Sequence, residues 1–311
     1  IPSSVTIIDT NGDSLTDRVY VGDTAGQVWR LDIADDVDPG GTSPEGSSVV
    51  GKLASISTAG TVAEERRFYV PPSVVQVVDT AFSDAVGGEF DYVLIPSGYR
   101  AHPLDINIKD RFYAFRDATI YPMVDGNSDG NAENYPLAIE KDILDPTVLI
   151  PLGASITNTD LVDISTSVLS SSNKTAEGWY FDFNIAAGSP TLATGEKGLA
   201  APAVFAGTLI FTTFIPADPN SIADTCSASE GQGNAFNFNI LSGNANLDWD
   251  GDGDIDLDDR KYTLGSGIPS EAVPIFTKEG VTVLVGTGGG AENLGKVSGL
   301  PRYRTYWYEE S

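Results

Sequence analysis

Arg18-Val19-Tyr20-Val21-Gly22, Asp23-Thr24-Ala25-Gly26 and Gln27-Val28-Trp29-Arg30-Leu31-Asp32 form the stretch that decides the fold. Two runs of alternating residues, rich in β-branched and aromatic side chains, flank a four-residue turn that ends in glycine. A period of two with turn residues between the runs predicts two antiparallel strands. Upstream, Val5 to Ile8 is a short β-branched run. Downstream, Lys52 to Ser57 can add a fourth strand after a loop rich in Gly, Pro and Ser.

The same grammar returns three times. Pro72-Ser73-Val74-Val75 precedes Tyr92 to Ile95, Arg111 to Arg116 and Trp179 to Phe183. Ala201-Pro202-Ala203-Val204 precedes Leu209 to Phe214 and Ala235 to Asn239. Ala272-Val273-Pro274-Ile275 precedes Val281 to Gly286 and Tyr303 to Tyr308. Four imperfect repeats of three or four strands are the signature of propeller blades. The expectation is an all-β chain, a modified β-propeller of about four blades from a larger ring. One partial propeller domain would cover 1–311, with blades starting near Ser4, Pro72, Ala201 and Ala272. The stretch 119–172 reads as an insertion, with a short helix from Asp160 to Leu169. An incomplete ring exposes strand edges, which further chain or a partner should cover. Ile1-Pro2-Ser3 leads directly into a strand pattern and reads as internal to a longer protein.

Between the last two repeats lies Asp248-Trp-Asp-Gly-Asp-Gly-Asp-Ile-Asp-Leu-Asp-Asp259, with seven carboxylates in twelve residues. Like charges this crowded repel unless a cation sits among them. The spacing fits a twelve-residue calcium loop. Asp248, Asp250 and Asp252 occupy the first, third and fifth ligand places, and Gly253 the sharp turn at the sixth. Asp254 offers its carbonyl at the seventh, Asp256 stands at the ninth and Asp259 at the twelfth. Asp259 is shorter than the bidentate Glu of a sensor loop, and the flanks carry no helical period. The loop therefore reads as a structural clip and not as a switch that opens a helix pair. The competing reading is a solvated acidic loop.

A second acidic loop, Asp9 to Asp17, places Asp9, Asn11, Asp13 and Asp17 at its first, third, fifth and ninth positions. Leu15 can give a carbonyl. Its competitor is an ordinary Asn-Gly hairpin turn. Asp125, Asn127, Asp129 and Glu133 repeat part of the pattern, but Pro136 stands where a ligand is wanted, so a polar loop is favoured there.

Composition narrows the function. The 311 residues are 41% hydrophobic, enough for a sizeable core, and 33 Gly with 18 Pro imply frequent turns. A formal net charge of −26 argues against nucleic acid and against an anionic membrane surface. No apolar run approaches the ~18 residues of a membrane helix, so no direct membrane insertion is expected. The single cysteine, Cys226, can form no internal disulfide. Acidic loops on an acidic surface suit an extracellular or periplasmic setting, where free calcium is plentiful.

Asp9-Thr-Asn-Gly-Asp-Ser-Leu-Thr-Asp-Arg-Val-Tyr-Val-Gly-Asp-Thr-Ala-Gly-Gln-Val-Trp-Arg-Leu-Asp32 resembles the propeller segment of PilY-type proteins, tip-associated adhesins and biogenesis factors of bacterial type IV pili. Phe90 to Leu104, Asp110 to Asp117, Gly178 to Phe183, Gly195-Glu-Lys197 and Pro202 to Phe214 are similar to the same family. The resemblance covers nearly the whole chain and matches the C-terminal propeller. It implies a seven-bladed modified propeller that binds calcium, with occupancy tied to pilus extension and retraction. The Asp9–Asp17 loop matches the kind of site that carries this role. The implied partners are pilus tip or minor pilin proteins, or the N-terminal part of the same protein, at the pilus tip or cell surface. No Arg-Gly-Asp tripeptide occurs, so integrin binding does not carry over.

The competing class is a quinone-dependent dehydrogenase, whose propeller has similar strand grammar. Such enzymes commonly use adjacent cysteines and repeated tryptophan motifs, whereas this chain has one Cys and four Trp. His102, the one histidine, gives a histidine-ligated transition metal or a Ser-His-Asp triad little to work with. Gly286 to Gly290 lacks the Lys-Ser/Thr tail of a phosphate loop and reads as a turn. The expectation is a binding module and not an enzyme.

Overall fold

The computed structural model describes residues 1–9, 14–33, 49–79, 88–118, 155–170, 173, 176–183, 195–217, 230–278 and 280–297. Four sheets follow one another along the chain. The first is the meander β1 (Thr6–Ile8), β2 (Arg18–Gly22), β3 (Gln27–Asp32) and β4 (Val49–Ser55). The second joins β5 (Ser73–Val78), β6 (Glu89–Pro96) and β7 (Arg111–Asp117) to a pair made of β8 (Val162–Asp163) and β9 (Gly178–Asp182). Here β9 lies beside β7, and β8 runs parallel to β9 at the edge. In the third sheet β10 (Lys197–Gly198) and β11 (Ala203–Phe205) both pair with β12 (Thr208–Ile215), followed by β13 (Gln232–Asn239) and β14 (Lys261–Ser266). The fourth is β15 (Ala272–Thr277), β16 (Gly280–Thr287) and β17 (Gly290–Val297). The sheets thus open at Thr6, Ser73, Lys197 and Ala272, against expected starts near Ser4, Pro72, Ala201 and Ala272.

Strand alternation explains how the sheets stack. On β6, Tyr92 and Leu94 point to one side while Val93 and Ile95 point to the other, and all four are buried. On β7, Phe112 and Ala114 share the first side, Tyr113 and Phe115 the second. A strand covered on both faces needs a near-continuous apolar run, which both sequences supply. One core lies between the first and second sheets, with Tyr20, Val28 and Leu53 facing Val93, Ile95 and Phe115. A second joins Phe112 and Trp179 to Leu209, Phe211, Phe236 and Phe238. A third joins Ile210 and Leu264 to Val281, Val283 and Val285. The middle core is the most aromatic: Phe112 stacks on Phe211 at 4.2 Å and Phe211 on Phe236 at 5.0 Å between centroids. Offset pairs of this kind add about 0.5–1.5 kcal/mol each beyond area burial.

At one end of this stack the backbones of the second and third sheets touch. A Cβ on Gly98 would lie 2.2 Å from the Gly198 carbonyl oxygen. Gly198 N–H donates to the Ser97 carbonyl at 2.9 Å. Only glycine permits that approach.

Between the first two sheets the interface also carries charge. Arg18 pairs with Asp32 at 2.6 Å and Asp91 at 3.1 Å, and Arg30 pairs with Asp32 and Asp117, both at 2.8 Å. The Tyr20 hydroxyl lies 3.1 Å from Asp91 Oδ2 and 2.8 Å from Asp117 Oδ2. All six side chains are buried. Burial first, then the neighbouring Asp117, raises the Asp91 carboxyl above its ordinary range.

Three expectations change. No helix forms over Asp160–Leu169: a 3-10 turn at Asn158–Asp160 leads into β8, where Val162 pairs with Trp179. Asp163 Oδ1 accepts from Ser165 N–H at 2.9 Å and the Ser167 hydroxyl donates to the Asp163 carbonyl at 3.4 Å, and such local bonds compete with a helix. Among the described residues the fourth sheet gains an unexpected strand, Gly290–Val297, joined to β16 by the glycine turn; the expected strand at Tyr303–Tyr308 lies outside those residues. Strand β14 is an addition, with Tyr262 and Leu264 alternating inward. Among the described residues no helix is long and apolar enough to cross a membrane.

Candidate metal centre

The acidic stretch 248–259 connects β13 to β14. Asn237, at the end of β13, anchors both ends of this connection. Its Oδ1 accepts from Asn246 N–H at 2.7 Å and Leu247 N–H at 2.9 Å, and its Nδ2 donates to the Asp259 carbonyl at 2.7 Å. Within the loop Asp248, Asp250 and Asp252 accept from backbone amides just ahead. Asp248 accepts from Gly251 at 2.6 Å and Gly253 at 3.2 Å, Asp250 from Asp252 at 3.0 Å, and Asp252 from Asp254 at 2.8 Å. Gly253, at φ 98°, takes a backbone conformation that side-chain-bearing residues avoid. These bonds curl the chain so that Asp248, Asp250 and Asp252 converge, with carboxylate oxygens within 4.8 Å of one another and open to solvent.

Of the other expected ligands, Asp254 and Asp256 are exposed and stand outside this trio. The Asp256 carboxylate accepts from Asp258 N–H at 2.8 Å. Asp259 is buried and turned toward the loop backbone. It accepts from Trp249 N–H at 2.6 Å, Asp250 N–H at 3.1 Å and Asp256 N–H at 3.1 Å. Burial pushes its carboxyl up, yet these three donors outweigh burial and hold it below the ordinary range. For Asp250 the Asp252 amide draws the other way. Desolvation and the charges of Asp252, Asp259 and Asp248 still leave its carboxyl above the ordinary value. Repulsion at the trio is thus an electrostatic cost that a bound cation would relieve. The donors are all hard oxygens, which fit a hard divalent ion and give no soft ligand for a thiophilic one.

Two side chains beside the trio reach neighbouring sheets. Trp249 Nε1 donates to the Leu294 carbonyl on β17 at 2.9 Å. Arg260, buried, donates to the carbonyls of Ile164 at 2.7 Å and Ser167 at 2.6 Å, next to β8. Its guanidinium also lies 5.2 Å over the Phe238 ring. The loop therefore touches the second, third and fourth sheets. No sequence signal marked Trp249 or Arg260, because their partners lie 45 and 96 residues away.

In the Asp9–Asp17 loop, Asn11 and Asp13 lie outside the described residues. Asp9 Oδ2 accepts from Ser14 N–H at 2.8 Å, and Ser14 stands at φ 72°, where the usual residue is glycine. Asp17 is buried; its N–H donates to the Ile8 carbonyl at 2.9 Å and its carbonyl accepts from Ile33 N–H at 2.7 Å. Leu15 is exposed. The 125–133 loop and Cys226 also fall outside the described residues. His102 is exposed, with its ring 4.7 Å from Tyr99.

No family model matches the chain. A search of solved structures finds the Pseudomonas aeruginosa PilY1 C-terminal domain, with a TM-score of 0.54 at 15% identity, covering 92% of this chain and 59% of that one. That likeness gives the fold, a modified β-propeller. Among curated proteins, the type IV pilus biogenesis factor PilY1 homolog of Xylella fastidiosa (strain Temecula1 / ATCC 700964) is 24% identical over 214 residues. The match takes in 68% of this chain. In fold the chain is similar to that PilY1 C-terminal domain. It spans only 13% of the length of the Xylella PilY1 homolog, so most of that relative has no counterpart in these residues. The 248–259 loop lies between β13 and β14, the third and fourth strands along the main path of the third sheet.

Proposed function

We propose that this domain binds calcium and serves a type IV pilus-associated protein in pilus biogenesis and surface adhesion. Its partners are pilus tip or minor pilin proteins, or the rest of the same polypeptide, outside the cell. The pilus part rests on the names and folds of its relatives. The observation that carries calcium is the convergence of Asp248, Asp250 and Asp252 within 4.8 Å on an all-oxygen loop. Asp254, Asp256 and Asp259 extend the donor set, while Asp9, Asn11, Asp13, Leu15 and Asp17 make the second site. When bound, the cation neutralises crowded carboxylates and orders the turn. The chain's own part is positional: Gly253 permits the bend, Asn237 fixes both ends, and Asp259 gathers three amides so that the trio stays turned outward. Extracellular calcium modules commonly bind at ~0.1–1 mM, which would make occupancy sensitive to the surroundings.

Thermal unfolding with and without calcium tests the metal. The expected outcome is a rise in Tm that Asp248→Asn with Asp252→Asn removes in part, and Asp13→Ala with Asp17→Ala removes further. An identical Tm in calcium and in chelator would overturn it. For the pilus role, deleting the segment from its natural gene should reduce surface pili and attachment. Normal piliation and attachment after deletion would remove that reading.

A further inference from the structure

The buried interface between the first two sheets holds more acid than base. Among the described residues, the guanidiniums of Arg18 and Arg30 meet three carboxyl groups there, those of Asp32, Asp91 and Asp117. Asp32 takes from both cations: Arg18 Nε lies 2.6 Å from its Oδ1 and Arg30 Nε 2.8 Å from its Oδ2. Asp117 Oδ2 takes Arg30 Nη1 at 2.8 Å and has the Tyr20 hydroxyl at 2.8 Å. Asp91 Oδ2 has the longer contacts, to Arg18 Nη1 and to the same Tyr20 hydroxyl, both at 3.1 Å. A tyrosine hydroxyl carries one proton to donate. Given to Asp117, the closer acceptor, it leaves the Tyr20 oxygen and Asp91 Oδ2 facing each other with lone pairs only. A third carboxylate charge against two cations is a further cost in a site closed to water. One added proton removes both penalties. Placed on Asp91 Oδ2, it donates to Tyr20 Oη, which donates on to Asp117 Oδ2.

We infer that this interface is a pH-sensitive latch: Asp91 stands in it as the neutral acid, and loss of that proton loosens the first sheet from the second. The surroundings of Asp91 agree from every side. Strand β2 presents Arg18 and Tyr20, β3 presents Arg30 and Asp32, and β7 sets Asp117 directly opposite Asp91 in register. Strand β5 sets Gln76, which does not titrate, opposite Asp91 on the other edge. Tyr92 and Arg116 alternate to the far face, where both lie against the Phe90 ring. Strand β1 carries no charge, and Lys52 of β4 lies over Trp29 on the outer face. Asp17 is buried just before Arg18. Burial raises the Asp91 carboxyl and Arg18 does not outweigh it, the same direction as the donor count. With the folded-state value above the unfolded one, the latch contributes fully below the unfolded pKa and is lost as pH rises through the raised value. Acid therefore tightens this sheet, the reverse of ordinary acid denaturation. The inference rests on neither the pilus reading nor the calcium reading.

Hydrogen exchange of the 18–32 peptide tests it in the 311-residue chain, with chelator throughout so that no cation at Asp9–Asp17 contributes. After correction for the intrinsic pH dependence of exchange, protection of this peptide relative to β16 and β17 should fall severalfold from pH 5 to pH 8. Asp91→Asn keeps a donor for Tyr20 and an acceptor for Arg18 without a charge, and should hold protection high at both pH values. The same pH dependence in Asp91→Asn as in the unsubstituted chain would overturn the latch. Faster exchange of Asp91→Asn at both pH values would make Asp91 an ionised partner of Arg18 and overturn it as well. Asp117→Asn checks the assignment: it should lose protection at both pH values. A flat, high profile from Asp117→Asn alone would put the proton on Asp117 and overturn its place on Asp91. Tyr20 ring resonances of the unsubstituted chain supply an arm that needs no variant to fold. They should shift with a midpoint above the ordinary carboxylate range, and a midpoint inside that range would overturn the neutral acid.

Discussion

Asp110 is fully buried just before β7, where its Oδ1 accepts from the Ser97 hydroxyl at 2.7 Å and its Oδ2 has no hydrogen-bond partner among the described residues. Burial dominates and raises the carboxyl to about 6, against the opposing pull of Ser97, Lys197, Arg66 and Arg67. The sign follows from linkage. A folded-state value above the unfolded one means the native protein binds the extra proton, so stability is highest below the unfolded pKa. It is lost as pH rises through about 6, at roughly 1.4 kcal/mol per unit of difference. Asp110→Asn removes the ionisation and keeps an acceptor for Ser97. It should raise Tm at pH 7.5 and leave it nearly unchanged at pH 4; a gain of equal size at both pH values would contradict this account. Single residues were also where sequence reading was weakest. The aspartates of the 248–259 loop were legible because ligand spacing is local along the chain. The Arg18–Asp91 and Arg30–Asp117 pairs were not, because their members lie 73 and 87 residues apart. Alternation in Arg18–Gly22 foretold a strand, but it could not tell which face turns inward.

At the scale of elements, legibility tracked burial. Strands β6, β7 and β12 are covered on both sides, so their apolar runs announced them. Strand β17 has Leu294 as its one buried apolar side chain among those described, and Gly290-Ala-Glu-Asn gave no alternation to read. The 248–259 loop was legible as a loop, whereas its attachment to three sheets was not. Arg260 makes that attachment testable. Burial lowers its guanidinium to about 10, and its two bonds to the Ile164 and Ser167 carbonyls hold the β8 segment against the third sheet. Arg260→Met strands two carbonyls but also removes a buried charge, so the net loss should be about 2 kcal/mol. Hydrogen exchange should quicken in 155–170 and stay unchanged in β16 and β17. Uniform quickening, or none, would show that Arg260 does not hold this junction.

The whole molecule carries a formal charge of −26, and self-repulsion of that size works against any compact state. Two kinds of relief are possible, and they respond differently to ions. Sodium chloride screens all charges alike, because the Debye length falls from about 30 Å at 0.01 M to about 10 Å at 0.1 M. Stability should therefore climb gradually with sodium chloride, without saturating near one concentration. Calcium at ~1 mM adds too little ionic strength to screen charges a few ångströms apart. A rise in Tm at that concentration, in a fixed background of 0.15 M sodium chloride, is therefore site binding. It should follow RT ln(1 + [Ca]/Kd), nearly flat below the dissociation constant and logarithmic above it. Magnesium should do less, since it keeps its waters and tolerates a flexible carboxylate cage poorly. Equal responses to the two ions would mean that the acidic surface gathers divalent charge diffusely. In that case Asp248, Asp250 and Asp252 would lie together through the local amide bonds of the loop alone.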